Sequence, residues 1–426
     1  MARQPATRAP DPPGVPARRA ALRLLDAVLR RGLPLEAELP RATSGLVRTE
    51  DRGLARAIAS ETLRRLPDLD ALIDGATRLT LPPDAKARFA LRIALVQALA
   101  MGVAPHASIA TVLPLVDGGP RRLVHGVFGT LMRAGTTLAE PPRFPEDVAR
   151  RWCEAWGGDA VDGARTGLLG RPPLDLTLRD PGATEHWTER LGGESLAPGH
   201  VRLGAVADVT ALAGYDEGAW WVQDLSASLP ARLLGRGDGA VLDLCAAPGG
   251  KALQLAAAGW RVTAVERDPA RLARLADNGE RTGLAMETIV ADAMDWAPAA
   301  PADAVLLDAP CSATGIFRRH PDVLHRVRAS AIAALADAQR AMLARAAGWV
   351  KPGGRIVYAV CSLEQQEGEE AVRAAAAYGL ATEPVRADEL PAGLAPSAEG
   401  FLRVPPGALA DRGGCDGFFI ARFVKG

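Results

Sequence analysis

The sequence predicts a doubly wound α/β domain, preceded by an all-α domain and a small α+β subdomain. Three observations carry this. From about Ala240 onward, short apolar runs at 241–244, 261–265, 287–291, 303–307, 355–360 and 417–423 alternate with helix-prone stretches, the rhythm of βαβ units around a parallel sheet. Between Pro16 and about Gly135, apolar residues recur at helical spacing. At 426 residues the chain exceeds one ordinary domain, and Pro141, Pro142 and Pro145 break helix propensity where the pattern changes.

Taken in order, residues 1–15 are rich in Pro, Ala and Arg without periodicity and read as a disordered tail. The helical region carries stripes at Ala20, Leu24, Leu25, Val28 and Leu29, at Leu54, Ile58, Ala59 and Leu63, and at Leu91, Leu95, Val96 and Leu99. Five to seven helices are expected there. Residues 146–235 mix helical pieces with β-like runs such as Leu174–Leu178. The partition is therefore 16–140 all-α, 141–235 linker and small α+β subdomain, and 236–426 α/β. No internal repeat is apparent.

A formal charge of zero conceals an asymmetry: residues 1–140 hold 20 Lys+Arg against 13 Asp+Glu, or +7, leaving 30 against 37, or −7, for the rest. The only lysines are Lys86, Lys251, Lys351 and Lys425, and arginine forks suit phosphate oxygens. A basic front end on an acidic body fits an enzyme with a nucleic-acid handle, the competing explanation being a general Arg- and Ala-rich composition. Five widely spaced cysteines, Cys153, Cys245, Cys311, Cys361 and Cys415, include no CxxC pair, so neither a disulfide framework nor a metal site is suggested. Reduced thiols, the lack of an apolar h-region at the N-terminus and the lack of any apolar stretch of ~20 residues point to a soluble cytoplasmic protein without a membrane partner.

The chemistry sits at strand ends. Val241–Leu244 runs into Cys-Ala-Ala-Pro-Gly-Gly-Lys and then a helix-prone stretch: strand, tight small-residue loop, helix, where an α/β sheet holds a nucleotide-like ligand. The loop has neither the GxxxxGK[ST] spacing of a phosphate loop nor a GxGxxG fingerprint. The next strand ends in Glu266, an acceptor for a ribose diol, and the third in Asp292, a partner for an adenine edge. Acids after successive strands without a pyrophosphate cradle suit a nucleoside bearing a positive sulfonium, S-adenosylmethionine. The competing reading makes Gly249 and Gly250 a packing turn and the acids solvated strand ends.

The fourth strand ends Asp308-Ala309-Pro310-Cys311, and a later one runs into Cys361. Carbon 5 of cytosine is too weak a nucleophile to take a methyl group from a sulfonium, but a thiolate added at carbon 6 turns the ring into an enamine whose carbon 5 can. Singly, either cysteine reads as a packing thiol. Both at strand ends beside the ligand turn read as a pair of catalytic groups.

The segments Leu-Asp-Leu-Cys-Ala-Ala-Pro-Gly-Gly-Lys (242–251), Asp-Ala-Pro-Cys-Ser-Ala-Thr-Gly (308–315), Arg-Arg-His-Pro-Asp (318–322), Tyr-Ala-Val-Cys-Ser (358–362) and Asp-Gly-Phe-Phe-Ile-Ala (416–421) resemble, in order, the signatures of the RsmB/Nop2/NSUN family of RNA 5-methylcytosine methyltransferases. Residues 16–135, with Val103–Ala107 and Leu123–Val127, are similar to the NusB-like RNA-binding domain of bacterial members, and Gln223–Ser226 resembles the stretch before their catalytic core. The resemblance implies a class I Rossmann-like methyltransferase fold, S-adenosylmethionine as cofactor and 16S ribosomal RNA as substrate, with a monomer and no DNA partner expected. It makes Cys361 the nucleophile and Cys311 the group that helps release product. Donor contacts fall on Cys245, Ala246, Ala247, Pro248, Gly249, Gly250, Lys251, Glu266, Asp292 and Asp308, and Asp308 also holds the cytosine ring. Glu266 stands where many relatives have Asp, and Val360 replaces a common Thr.

Transfer RNA modification by the same chemistry, a non-catalytic RNA-binding assembly factor and a nicotinamide oxidoreductase are the alternatives. The NusB-like region, the intact thiol pair and the missing GxGxxG count against each in turn. His106 and His125 read as structural or RNA-contact residues far from the cysteine motifs. Arg318, Arg319 and His320 read equally as phosphate contacts or a solvated face, and Trp220 and Trp221 as core rather than base-stacking residues.

Overall fold

The computed structural model describes residues 12–206 and 208–426. The expected tail lies outside the description over residues 1–11, and Val15 already begins the first helix. Contacts divide the chain into two compact units, one running to Val148 and including His320–Arg326, the other comprising Ala149–Arg319 and Val327–Gly426.

Among the described residues of the first unit, the α-helices Val15–Leu29, Leu35–Thr43, Thr49–Arg64, Leu66–Gly75, Lys86–Leu99, Pro105–Val112 and Gly118–Arg133 enclose an apolar core. The helix Lys86–Leu99 is buried at every position from Ala87 to Gln97, as expected of a helix with neighbours all round. Its two arginines survive burial because acids meet them: Arg92 forks onto Asp70 with two 2.8 Å bonds, and Arg88 pairs with Asp70 and Asp74. A segment from far along the chain completes the unit. Val323 and Leu324 are buried, the Leu35 amide donates to Asp322 Oδ2 at 3.4 Å, and His325 Nε2 lies 2.7 Å from the Leu63 carbonyl.

The second unit holds two sheets. Strands β1 (Leu174–Leu178), β2 (His200–Leu203) and β3 (Trp220–Val222) form an antiparallel sheet in the order β2-β1-β3. Its core includes Leu176, Leu178, Trp187, Val201 and Trp220. Trp220 and Trp221 are buried, donating to the Ala213 carbonyl and to Gln223 Oε1, so they are core residues as the sequence suggested.

The larger sheet contains β4 (Ala240–Leu244), β5 (Arg261–Glu266), β6 (Glu287–Val290), β7 (Ala302–Asp308), β8 (Val350–Val360), β9 (Leu380–Thr382), β10 (Leu402–Val404) and β11 (Phe418–Lys425). Its order is β10-β11-β8-β7-β4-β5-β6, with β9 also on β11. Strands β4 to β8 are parallel and β11 runs against β8. Period-two alternation sends Val241, Ala264, Leu306 and Val357 into one core with the helices Leu225–Leu234, Gly250–Ala257 and Pro269–Thr282. It sends Leu242, Val265, Leu307 and Ile356 into another, against the helix Ala329–Ala347. This is the doubly wound α/β architecture the alternating runs predicted, and all six predicted strands are present. Because β4 has β5 on one side and β7 on the other, the strand order reverses there, and a ligand crevice belongs at its C-terminal end.

Candidate active site

At that reversal point the backbone turns sharply. Cys245, directly after β4, has φ +62°, and Gly249 has φ +110° where the helix Gly250–Ala257 begins. A Cβ on Gly249 would lie 2.8 Å from Leu275 Cγ, and one on Gly250 would meet the Gln223 side chain at 3.1 Å. Glycine is therefore a steric requirement at the first of these and a tight fit at the second. The loop sits against the helix that follows β5, with Arg271 of that helix donating to the Ala247 carbonyl.

Three acids lie along the strands beside this loop. Glu266 ends β5, is buried, and accepts from the Asp268 amide through Oε1 at 3.1 Å; its Oε2 has no hydrogen bond and faces Arg271 Nη1 at 3.2 Å. Asp292 follows β6 and accepts from the Met294 amide at 2.8 Å. Asp243, inside β4, is a polar residue that the strand-end pattern does not single out. It is fully buried, neither oxygen has a hydrogen bond, and burial, then the neighbouring Asp308 charge, pushes its carboxyl well above the usual range. An acid within an otherwise apolar buried strand is the signal that could have found it. Orphaned acceptors on Asp243 and Glu266, beside a loop that excludes side chains, fit a nucleoside ligand carrying hydroxyl and ammonium donors.

Asp308 closes β7 and meets Lys251, the second residue of the loop's helix, at 2.8 Å. Burial would lower the Lys251 ammonium, but Asp308, with Cys361 and Asp243 behind it, outweighs burial and the net shift is upward, so the lysine stays charged. Its ammonium also lies 5.4 Å from the centre of the Phe418 ring. Cys311 lies three residues beyond β7 and Cys361 directly after β8. Since Asp308 pairs with Ala359, the two loops emerge side by side, and the sulfurs are 3.5 Å apart. The contact with Cys361, then burial, pushes the Cys311 thiol well up. Burial likewise holds Cys245 at about 12, so that thiol is a poor nucleophile despite its place in the loop.

The structure brings together Lys251 with Asp308 and Cys311 with Cys361, and sets Glu266 and Asp292 at the same ends of adjacent strands. The Arg318-Arg319 pair is not a solvated face. Arg318 is buried and donates to the Gly413 carbonyl, while Arg319 bridges Asp224 at 2.7 Å and Asp416 at 3.0 Å. Both join parts of the protein. His106 and His125 are exposed on the helical unit.

Fold and site together define an S-adenosylmethionine-dependent methyltransferase. The family described as 16S rRNA methyltransferase RsmB/F matches residues 232–424, and the NusB family matches residues 15–121. Ribosomal RNA small subunit methyltransferase B of Xylella fastidiosa (strain Temecula1) is 35% identical over 439 residues, covering 97% of this chain and 98% of that protein. The Xanthomonas campestris protein of the same name is 33% identical with the same coverage. Among solved structures, PH0851 superposes with a TM-score of 0.72 at 22% identity, over 98% of this chain and 100% of its own. NSun6 from Pyrococcus horikoshii, solved with SFG, reaches 0.56 at 18% identity, over 66% of this chain and 98% of its own. The chain belongs to the RsmB/F family of 16S rRNA methyltransferases, and its cofactor is S-adenosylmethionine.

Proposed function

We propose that this protein is a cytoplasmic, monomeric enzyme that methylates carbon 5 of a cytosine in 16S ribosomal RNA through a covalent bond from Cys361 to carbon 6 of the ring. Residues 16–140 serve as the NusB-like RNA handle, 141–235 as a linker and RNA-binding subdomain, and 236–426 as the catalytic domain. The observation that carries the chemistry is the pair of sulfurs 3.5 Å apart, beside the Lys251–Asp308 ion pair. One thiol would suffice for attack; two in contact suit attack followed by release.

When bound, S-adenosylmethionine supplies a methyl group on a sulfonium. Glu266 and Asp243 offer acceptors to the donor's polar groups, and Asp292 offers one to its adenine edge. Cys361, as thiolate, adds to carbon 6 and moves the electron pair toward carbon 5, which takes the methyl group. Asp308, held by Lys251 through Oδ2, keeps its other oxygen for the cytosine ring, where it supports a proton at N3. Transfer of the carbon 5 proton to water and elimination of Cys361 then restore the aromatic ring. Cys311, kept protonated by its raised pKa, can donate S–H to the departing Cys361 thiolate.

The two thiols are thus asymmetric and their replacements should fail differently. Cys361→Ala should abolish methyl transfer while donor binding persists. Cys311→Ala should permit attack and transfer but slow release, so a covalent RNA–protein complex should accumulate on a denaturing gel when donor is present. Trapping by Cys361→Ala instead would exchange the roles. Activity retained by both variants, with no trapping, would sink the covalent mechanism, and bisulfite mapping of total RNA from cells lacking the protein tests the base and the RNA.

A further inference from the structure

Directly behind the two thiols lies a carboxylate that the steps above do not use. Glu367 has no solvent exposure. Its Oε1 accepts from the Ser312 amide at 2.8 Å and from Gln339 Nε2 at 3.1 Å, while its Oε2 accepts from the Ser362 hydroxyl at 2.5 Å and from the Ser312 hydroxyl. Ser312 and Ser362 are the residues immediately after Cys311 and Cys361. One side chain therefore ties together the two loops that carry the thiols, each at the residue next to its cysteine.

The clamp is itself held. Tyr358, within β8, donates to the Glu367 carbonyl at 2.6 Å with Gln339 Oε1 3.2 Å from the same hydroxyl, and Gln339 also donates to the carbonyl of Pro310, just before Cys311. The Ser312 and Ser362 hydroxyls are 3.2 Å apart, and the Thr314 hydroxyl is 3.4 Å from each. A glutamine of the same shape would have to keep its single oxygen on the Ser312 amide and Gln339 and turn its NH₂ toward the Ser312 and Ser362 hydroxyls, which would then have to reverse from donating to accepting, so the carboxylate is the group that takes all four donors as they stand. Its negative charge also adds to the upward push on Cys311.

We propose that Glu367 is a positioning residue for methyl transfer, bridging Ser312 and Ser362 so that Cys311 and Cys361 stay at the separation the reaction needs; this rests on the two-thiol mechanism above. Misplacement of a reacting group by about 1 Å can cost on the order of a hundredfold in rate. Glu367 touches neither sulfur in a hydrogen bond, so its effect passes through the serines and through the charge felt by Cys311, whose other titratable neighbours are Cys361 and Tyr358.

The test uses the full-length protein with Glu367→Gln, Ser312→Ala, Ser362→Ala and the Glu367→Gln/Ser362→Ala double variant, following methyl transfer to RNA from labelled donor. Glu367→Gln should lower kcat by about ten- to a hundredfold, with RNA KM and donor Kd within about twofold of wild type. Each serine variant should show a smaller loss of the same kind, and the double variant should be no slower than Glu367→Gln. Removing the charge should also lower the Cys311 pKa, moving the alkaline limb of the rate profile to lower pH in Glu367→Gln but not in Ser362→Ala. An unchanged kcat, a multiplicative loss in the double variant, or a loss confined to KM and donor Kd overturns the proposal. If Glu367→Gln does not fold, the kcat and KM of the two serine variants decide the matter. Trapping by Cys311→Ala alongside wild-type rates in all four variants would remove Glu367 alone, whereas loss of trapping would remove the two-thiol mechanism itself.

Discussion

Glu266 and Asp243 show how far single residues decide this site. Glu266 already accepts one backbone hydrogen bond, yet its second oxygen is buried without one, 3.2 Å from Arg271 Nη1. A ribose hydroxyl would fill that vacancy with a charge-assisted bond. Glu266→Ala should therefore weaken donor binding by roughly ten- to a hundredfold, the equivalent of about 1.5–3 kcal/mol, without changing RNA binding. Titration calorimetry with S-adenosylmethionine checks this, and an unchanged Kd would mean that Glu266 does not face the ribose. Polar residues at strand ends were legible because the apolar run that positions them is itself a local signal. What lies across a sheet or behind a loop leaves no such trace. Asp243 looks in sequence like one more strand residue, Glu367 like a surface acid after a loop, and Arg318 and Arg319 like a basic patch, until tertiary packing supplies Gly413, Asp224 and Asp416 as their partners.

At the level of elements, the turn between β4 and its helix binds structure to function most tightly. Gly249 needs a φ that L-residues rarely adopt, and a Cβ there would press on Leu275 Cγ at 2.8 Å, within the helix that follows β5. Gly249→Ala should therefore carry backbone strain of about 1–2 kcal/mol and an overpacking cost of about 1–3 kcal/mol, lowering Tm by several degrees. Adding Leu275→Ala to Gly249→Ala should relieve the overpacking part only, so the losses should be less than additive. Thermal melts of the two single variants and the double variant test this; strict additivity would show that the clash is not felt. The six strands at 241–244, 261–265, 287–291, 303–307, 355–360 and 417–423 were readable because apolar runs between helix-prone stretches give two independent cues, enough even for the four residues of β6. β2, β9 and β10, at three or four residues and outside that rhythm, are made strands by tertiary pairing.

The chain as a whole departs from its linear order at one place. His320–Arg326 lies between catalytic motifs in sequence but packs with the helical unit, through contacts with residues more than 250 positions away that no local pattern could announce. Charge balance also reads differently in three dimensions. Arg65, Arg88 and Arg92 of the helical unit are committed to Glu61, Asp70 and Asp74, pairs that already cancel in the count over residues 1–140, so cations offered to RNA must be sought among the other arginines. Arg121 and Arg122, both exposed, fit that task better. The returning segment also makes the unit sensitive to acid. Burial, against the opposing hydrogen bond to the Leu63 carbonyl, holds His325 down at about 4, with Arg92 lowering it further and Asp322 and Asp70 raising it. Its value in the unfolded chain is about 6.5. Between those values the unfolded chain binds a proton that the folded unit refuses, so stability falls as pH drops from about 6.5 toward 4, by at most about 3 kcal/mol for this group, and is unaffected by it above that window. His325→Gln removes the titration while leaving an amide that can still donate to Leu63. The Tm of the wild type should exceed that of His325→Gln by a constant margin above about pH 7 and by a shrinking one below pH 6.5. A margin that stays level down to pH 4.5 in scanning calorimetry would show that the imidazole is not held neutral by burial in the helical unit.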